Sequence, residues 1–264
     1  MATPTSAPIW RLAFNAAAAL LAWLRPATCM TVVVIAGIAF VNYVLLRLYG
    51  NRGLFWTAFL GGLVNNRAAI AELMNIVKGT RIVGVVLFAT LAMFIRNIFL
   101  LAVFAPRALY IAVGPLVAMA VVSLLVPFGK NGDELGQELA LSSPISLHRV
   151  MSYGILFLGI QVLSTLAERL FGAGGFITAS CFSGMASSAS ATAAAANLSA
   201  SMKITPALAG TATVIASMAS LMTNLPLIFK RVSRPILYKV AWSTTLQVAV
   251  GVAVLTSQRF LVIH

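Results

Sequence analysis

The 264-residue sequence is 61% hydrophobic and only 9% charged, whereas a soluble domain has roughly 25% charged residues. Together with a mean hydropathy of +0.99, this excludes an ordinary soluble protein and indicates several membrane-spanning segments. The net charge of +13 comes from cations in short connections between apolar runs, which favours lipid headgroups over nucleic acid as the partner.

The predicted elements begin with an apolar stretch at 8–25, which is too short to span a bilayer comfortably. We expect an interfacial helix there, within an N-terminal region 1–29. Later windows reach the length of about 20 apolar residues that a crossing needs. They are roughly 30–49, 82–104, 107–128, 147–170, 204–229 and 236–257. The sequence therefore predicts an all-α bundle of about 7–8 transmembrane helices.

Two further windows, 53–76 and 174–200, are long enough but become polar part-way. If both span the membrane, the two halves of the chain run parallel; if both are re-entrant, the halves are inverted. With all eight crossings, Lys and Arg are shared equally between the two sides, so the positive-inside rule gives no orientation.

An internal duplication is indicated by pairs of similar segments. They are 49–54 with 171–176, 60–63 with 182–185, 89–92 with 216–219, and 108–110 with 236–238. We expect a first membrane repeat at 30–128, a polar connecting loop at 129–146 and a second repeat at 147–264. Broken segments at matching positions of two membrane repeats are typical of a transporter site.

The first broken segment carries the polar residues Asn65, Asn66, Arg67 and Glu72. Ionisable side chains at membrane depth usually mark a pathway or an internal pair. Arg67 and Glu72 are five residues apart, so they are not neighbours on a regular helix. The alternative is that the helix reaches the headgroup zone near Asn65 and both charges are solvated.

The second broken segment contains Ser187 and Ser188 among alanines. Its small side chains predict a position inside the bundle. One interpretation is that both hydroxyls face Asn65 and Asn66 and supply oxygen ligands for a dehydrated ion or a polar solute. The other is that they bond only to carbonyls one turn back.

A second matched pair, Asn97 and Asn224, lies late in a helix of each repeat, and Arg96 precedes the first of them. Apolar residues flank Arg96 on both sides, so we expect it to have a partner such as Glu72. That pair would be charge-compensated. If Arg67 and Arg96 instead line one cavity, the site favours an anion.

The remaining reactive residue types give no further site. Cys29 and Cys181 have no ligand spacing with a histidine, and a thiol or metal site needs such neighbours. We expect no catalytic residue, metal or cofactor, and no enzymatic activity.

Some segments resemble a known family. The run Val-Ile-Ala-Gly-Ile-Ala-Phe at 34–40, the segment from 53 to the Leu-Gly-Gly-Leu-Val run ending at 64, and Ser-Gly-Met-Ala-Ser-Ser at 183–188 are similar to the uncharacterised C-terminal domain of MgtC/SapB-like bacterial membrane proteins. The similarity runs from about Val33 to the end. The chain differs at 65–68, where Asn-Asn-Arg-Ala replaces the Ser-Ser-Thr-Ala that is typical of the family.

The resemblance implies a protein of the bacterial cytoplasmic (inner) membrane with a role linked to magnesium. The N-terminal half that gives those proteins their name has no counterpart in these residues, so an MgtC-like membrane protein is an implied partner. No binding residue is carried over from the family.

Two functions follow from these features. The leading hypothesis is a transporter or channel-like protein for a small ion or polar solute. The rival is a non-transporting membrane subunit that binds a partner through the small-residue surface of 183–200. The oligomeric state stays open.

Overall fold

The computed structural model describes residues 54–77, 79–126, 172–229 and 232–263. These residues form seven helices and no strand, which confirms the prediction of an all-α bundle. In chain order they are α1 (Leu54–Ile76), α2 (Arg81–Phe104), α3 (Pro106–Leu125), α4 (172–186), α5 (Ser188–Ala200), α6 (Pro206–Phe229) and α7 (Arg234–Ile263). The predicted segments outside the described residues are the interfacial helix 8–25, the spans 30–49 and 147–170, and the connecting loop 129–146.

Four of these helices are long and apolar enough to cross a membrane, namely α2, α3, α6 and the part of α7 from Arg234 to Gln258. All four coincide with windows predicted from the sequence. Helix α2, with 24 residues, is about 36 Å long, and the hydrocarbon core is about 30 Å thick. The protein is therefore an integral membrane protein.

Helix α1 folds back on itself. Its backbone is non-helical at Asn65, and a Cβ added to Gly61 would lie only 2.9 Å from the Cβ of Ala69. In a straight helix these two positions would be about 12 Å apart. Leu54 and Val77, at the two ends, both pack in the apolar cluster that contains the beginning of α2. We call α1 the first hairpin. Its two ends lie on the same side of the bundle.

Helices α4 and α5 form what we call the second hairpin, with Ser187 between the two arms. Gly184, near the tip, lies so close to the middle of α6 that an added Cβ would be 2.5 Å from the Cα of Ala216. Phe176, in the first arm, and Leu198, in the second, are buried in one apolar cluster. The tip of the second hairpin thus reaches the middle of the bundle.

The spanning helix that follows each hairpin runs opposite to its counterpart. Helix α3 begins beside the beginning of α6, because a Cβ on Gly210 would lie 2.6 Å from the Ala108 carbonyl oxygen. The chain reverses at Ala105 between α2 and α3, and α2 packs against α3. Helix α2 is therefore antiparallel to α6.

The last helix of each half shows the same relation. Gln247 of α7 donates a hydrogen bond to Ser123 near the end of α3, while Gln258, further along α7, lies against Gly114 in the middle of α3. Helices α3 and α7 are therefore antiparallel. Of the two arrangements open from the sequence, this is the inverted one, which re-entrant segments require.

Each hairpin also approaches its following helix in the same way. A Cβ on Gly62 would lie 2.6 Å from the Ala89 carbonyl oxygen, and one on Gly184 would meet the backbone of Ala216. Only glycine allows a contact this close between two backbones. The two contacts fall at matching positions of the similar segments, although the duplication itself stays a prediction.

Candidate functional site

The break in the first hairpin is centred on Asn65, whose backbone is extended (φ −154°, ψ 103°). Its Oδ1 accepts a hydrogen bond of 3.3 Å from the backbone N–H of Ala68. This is the geometry of a helix N-cap, in which a side-chain oxygen satisfies a backbone donor of the first turn. Asn65 therefore ends one arm and starts the next.

The break in the second hairpin has the same construction. Ser187 is extended (φ −162°, ψ 111°), and its Oγ accepts a hydrogen bond of 3.3 Å from the backbone N–H of Ser190. Asn65 and Ser187, which the sequence analysis named among the polar residues of the broken segments, thus each cap the second arm of their hairpin. We call the region where the two tips meet the junction.

An arginine from each of two helices connects the tips at the junction. Arg67 of the first hairpin donates a 3.4 Å hydrogen bond to the carbonyl oxygen of Gly184 in the second. Arg96 of α2 donates to the carbonyl oxygen of Leu63 at 3.2 Å and to the Oγ of Ser188 at 3.3 Å. Two guanidinium groups therefore lie between the hairpins.

The breaks explain why these carbonyl groups accept arginine donors. In a continuous helix each carbonyl accepts from the N–H four residues later, which for Gly184 is that of Ser188. The extended backbone at Ser187 separates these two groups, as Asn65 separates Leu63 from Arg67. Within a membrane a carbonyl left without a donor costs several kcal/mol, so the arginines replace the missing backbone bonds.

The predicted amide residues lie near the junction or deeper in the bundle. Asn66 is buried and donates from Nδ2 to the sulfur of Met93 at 3.7 Å. Asn97 is fully buried and donates from Nδ2 to the Oγ of Ser217 at 2.9 Å, which joins α2 to α6. Asn224 is also buried, and neither amide atom has a hydrogen-bond partner among the described residues.

Direct contacts thus join Arg96 to Ser188 and Arg67 to Gly184, with Asn66 beside Arg67 in the chain. The side chain of Glu72 lies outside the described residues, so the expected pairs of Glu72 with either arginine stay predictions. The alternative of an anion site, with both arginines lining one cavity, stays a prediction as well.

Residues 33–230 match the family described as a domain of unknown function, DUF4010. This match covers about three quarters of the chain. The chain belongs to the DUF4010 family. No curated protein and no solved structure matches it. The finer resemblance to MgtC/SapB-like proteins, with its implied membrane, partner and magnesium role, stays a prediction.

The DUF4010 segment contains both hairpins and the two helices, α2 and α6, that pack on them. Sequence reasoning missed three members of this arrangement, namely the carbonyl groups of Leu63 and Gly184 and the hydroxyl of Ser217. Every residue has a backbone carbonyl, so the residue type does not indicate which carbonyl accepts an arginine donor. Ser217, however, lies in the Ala-Ser-Met-Ala segment that matches 89–92, and this match would have pointed to it.

Proposed function

We propose that this DUF4010 protein is a transporter or channel-like protein, and that a small ion or polar solute passes through the junction. One observation carries the proposal: two interrupted helices end near the middle of α2 and α6, inside the bundle. Interrupted backbone at membrane depth is tolerated where it is buried in protein or lines a water-filled cavity. In inverted-repeat transporters such breaks form the solute site.

Unsatisfied polar atoms support a pathway over a purely structural junction. Buried polar atoms normally have a partner, either protein or ordered water. The described residues provide none for Oδ1 of Asn66 and Asn97 or for Oγ1 of Thr192. All three are in elements that meet at the junction, since Thr192 lies one turn after Ser188 on α5. Water or a solute would satisfy these atoms.

The rival function, a subunit that docks a partner through its small-residue surface, loses its main support. Residues 190–198 of α5 are buried within the chain itself, and α5 packs against α2 and α6. Much of the 183–200 surface is therefore already covered, whereas 185, 186 and 200 are exposed. We also propose that the protein is not an enzyme. The side chains described at the junction carry guanidinium, amide and hydroxyl groups.

Flux in proteoliposomes tests the proposal. Purified protein would be given magnesium, monovalent cations and simple anions in turn, and Asn65, Asn66, Arg67, Ser187 and Ser188 would be replaced by alanine one at a time. We expect wild-type flux for at least one solute and a reduced rate in the variants at the junction. Ser257→Ala, at an exposed position of α7, is the matched control.

Unchanged flux in all five variants would contradict a path through the junction. No flux from folded wild-type protein, together with a stoichiometric partner in the purified sample, would favour the docking subunit. Elution as a single symmetric peak in size-exclusion chromatography would show that each variant is folded.

A further inference from the structure

We infer that the side of the bundle where α2 begins faces the cytoplasm, and that a patch on α7 at this side binds anionic phospholipid headgroups. This orientation holds whether or not the protein transports a solute. It follows from the inverted arrangement of the two hairpins, because that arrangement decides which connections of the chain share one side of the membrane.

Two short connections lie together on the side where α2 begins. The first, 77–80, joins the first hairpin to α2, and the second, 230–233, joins α6 to α7. Residues that flank both connections pack in one apolar cluster, namely Val77, Ile82, Ile228 and Ile236. We call this side of the bundle the basic face.

Two further connections lie on the opposite face. Ala105 separates α2 from α3, and 201–205 separate the second hairpin from α6. The beginnings of α3 and α6 are adjacent, since a Cβ on Gly210 would lie 2.6 Å from the Ala108 carbonyl oxygen. Helices α2 and α6 are each long enough to cross the membrane, so these connections are on the side away from the basic face.

Lysine and arginine are distributed unequally between the two faces. The basic face has six of them in its two connections or within five residues of the helix ends that they join: Lys78, Arg81, Lys230, Arg231, Arg234 and Lys239. The opposite face has two by the same rule, Arg107 and Lys203. The outer ends of the described segments add two to each face, namely Arg52 and Lys130 to the basic face and Arg169 and Arg259 to the opposite face.

This excess gives the orientation that the sequence alone left open. Short cytoplasmic loops of membrane proteins are enriched in Lys and Arg, whereas Asp and Glu contribute little to the rule. If every segment crossed the membrane, the connections 77–80 and 230–233 would fall on opposite sides and the cations would balance. Two re-entrant hairpins bring both connections to one side, so the basic face is the cytoplasmic one.

The beginning of α7 combines cations with aromatic rings at this face. Arg234, Tyr238, Lys239 and Trp242 are all exposed, and we call them the α7 patch. The two rings are 71% and 70% exposed. Tyr and Trp rings concentrate at the level of the headgroups, and Lys and Arg beside them attract the anionic lipids of the cytoplasmic leaflet. The α7 patch therefore fits a membrane surface that contains anionic phospholipid.

Labelling from the two sides of the membrane tests the orientation. Thr80→Cys and Ser201→Cys would each be produced in bacterial cells, in protein that lacks Cys29 and Cys181, and treated with an impermeant maleimide. We expect Ser201→Cys to react in intact cells and Thr80→Cys to react only after the cells are opened. The reverse result would overturn the orientation. Reaction of both positions from one side would overturn the inverted arrangement on which it rests.

A reporter joined after residue 264 gives a measurement that needs no reactive cysteine. Alkaline phosphatase is active outside the cytoplasm, and green fluorescent protein fluoresces inside it. Because α7 begins at the basic face and is long enough to cross the membrane, we expect an active phosphatase and a dark fluorescent protein. Fluorescence without phosphatase activity would contradict the orientation.

Quenching of tryptophan fluorescence tests lipid binding at the α7 patch. The protein has four tryptophans, and replacement of Trp10, Trp23 and Trp56 by Phe leaves Trp242 as the reporter. The purified full chain would be reconstituted with mixtures of phosphatidylcholine and brominated phosphatidylglycerol. Stronger quenching than the bulk lipid ratio predicts would show that the anionic lipid is preferred beside Trp242.

Variants of the cations measure what the charge contributes. We expect the preference for phosphatidylglycerol to fall about fivefold for each of Arg234→Gln and Lys239→Gln. Arg107→Gln, at the exposed beginning of α3 on the opposite face, is the matched control and should keep the preference. No preference in the parent protein, or an unchanged one in both patch variants, would overturn lipid binding. Loss of the preference in inorganic phosphate at constant ionic strength would indicate a free-anion site instead.

Discussion

The two hairpins have one backbone design and two different chemistries. Each has a glycine packed on the next helix, one extended residue, and a side-chain oxygen that caps the second arm. After the break, however, the first hairpin has Asn66 and Arg67, whereas the second has Ser188 and Ala189 at the matching positions. The shared features are those that the break itself requires.

The difference shows where charge is introduced. Arg67 donates a hydrogen bond to the backbone of the second hairpin. Ala189, at the matching position, has no polar side-chain group that could donate one to the first hairpin. The second hairpin therefore contributes neutral hydrogen-bond acceptors, namely carbonyl and hydroxyl groups. The first hairpin contributes the positively charged side chain of Arg67. Small side chains let α5 lie buried between α2 and α6, which a long charged side chain at position 189 would prevent.

The largest expected effect concerns the opposite directions of the hairpins. Thr80 follows the first hairpin and Ser201 follows the second, and both are exposed. Because α2 and α6 are antiparallel, we expect these turns on opposite sides of the membrane. Thr80→Cys and Ser201→Cys, each in a background lacking Cys29 and Cys181, should react with an impermeant maleimide from opposite sides.

The control for this experiment is the cysteine-free background, which should not react from either side. Labelling of both positions from one side would mean that the segments span the membrane and that the two halves are parallel. The two hairpins would then not be inverted relative to each other.

The next effect tests the close contact of each tip. Gly184→Val would place a side chain against the backbone of Ala216, which cannot move as a flexible side chain would. Overpacking usually costs about 1–3 kcal/mol, and we expect this variant at or above the upper end. Gly174→Val, in the same arm but with open space around it, is the matched control; melting in detergent measures both.

Gly62→Val should behave like Gly184→Val if the two hairpins are equivalent, since its added Cβ meets the Ala89 carbonyl. A loss in stability no larger than that of Gly174→Val would show that the hairpin can move away from α2. The packing would then differ between the hairpins even though the glycines match.

A smaller effect tests the link between the hairpins. Arg96→Gln loses the hydrogen bonds to Leu63 and Ser188, and we expect the free energy of unfolding to fall by about 2 kcal/mol, within the range for bonds to charged groups. Arg96→Lys keeps the charge but not the two-armed geometry, so it should recover only part of the loss. Equal stability of wild type and Arg96→Gln would contradict a linking role.

Much of the fold followed from the sequence because its signals are long. Apolar runs such as that of α2 fix a spanning helix within a residue or two, and the polarity within 53–76 and 174–200 marked both broken segments. Whether the broken segments cross could not be decided, because both 53–76 and 174–200 have the length of a crossing but become polar part-way. The fold-back depends on the single extended residue Asn65, which composition does not reveal.

The candidate site was predicted only in part, for a different physical reason. Arg67, Arg96 and Ser188 were identified by type, since charge and hydroxyls are rare inside a membrane protein. Their actual partners, the carbonyls of Leu63 and Gly184, are groups that every residue has. Asn65 and Ser187 were interpreted as solute ligands, but the geometry of the breaks uses their oxygens as helix caps.

The smallest effect separates these two roles. Asn65→Ala and Ser187→Ala each remove one cap, so each should lower the free energy of unfolding by about 1 kcal/mol. The exchanges Asn65→Ser and Ser187→Asn keep an oxygen that can cap and should leave stability nearly unchanged. If stability is kept in the exchanges but flux in proteoliposomes falls, the oxygens contact the solute as well as the backbone. If both are kept, the two oxygens serve as helix caps and only shape the junction.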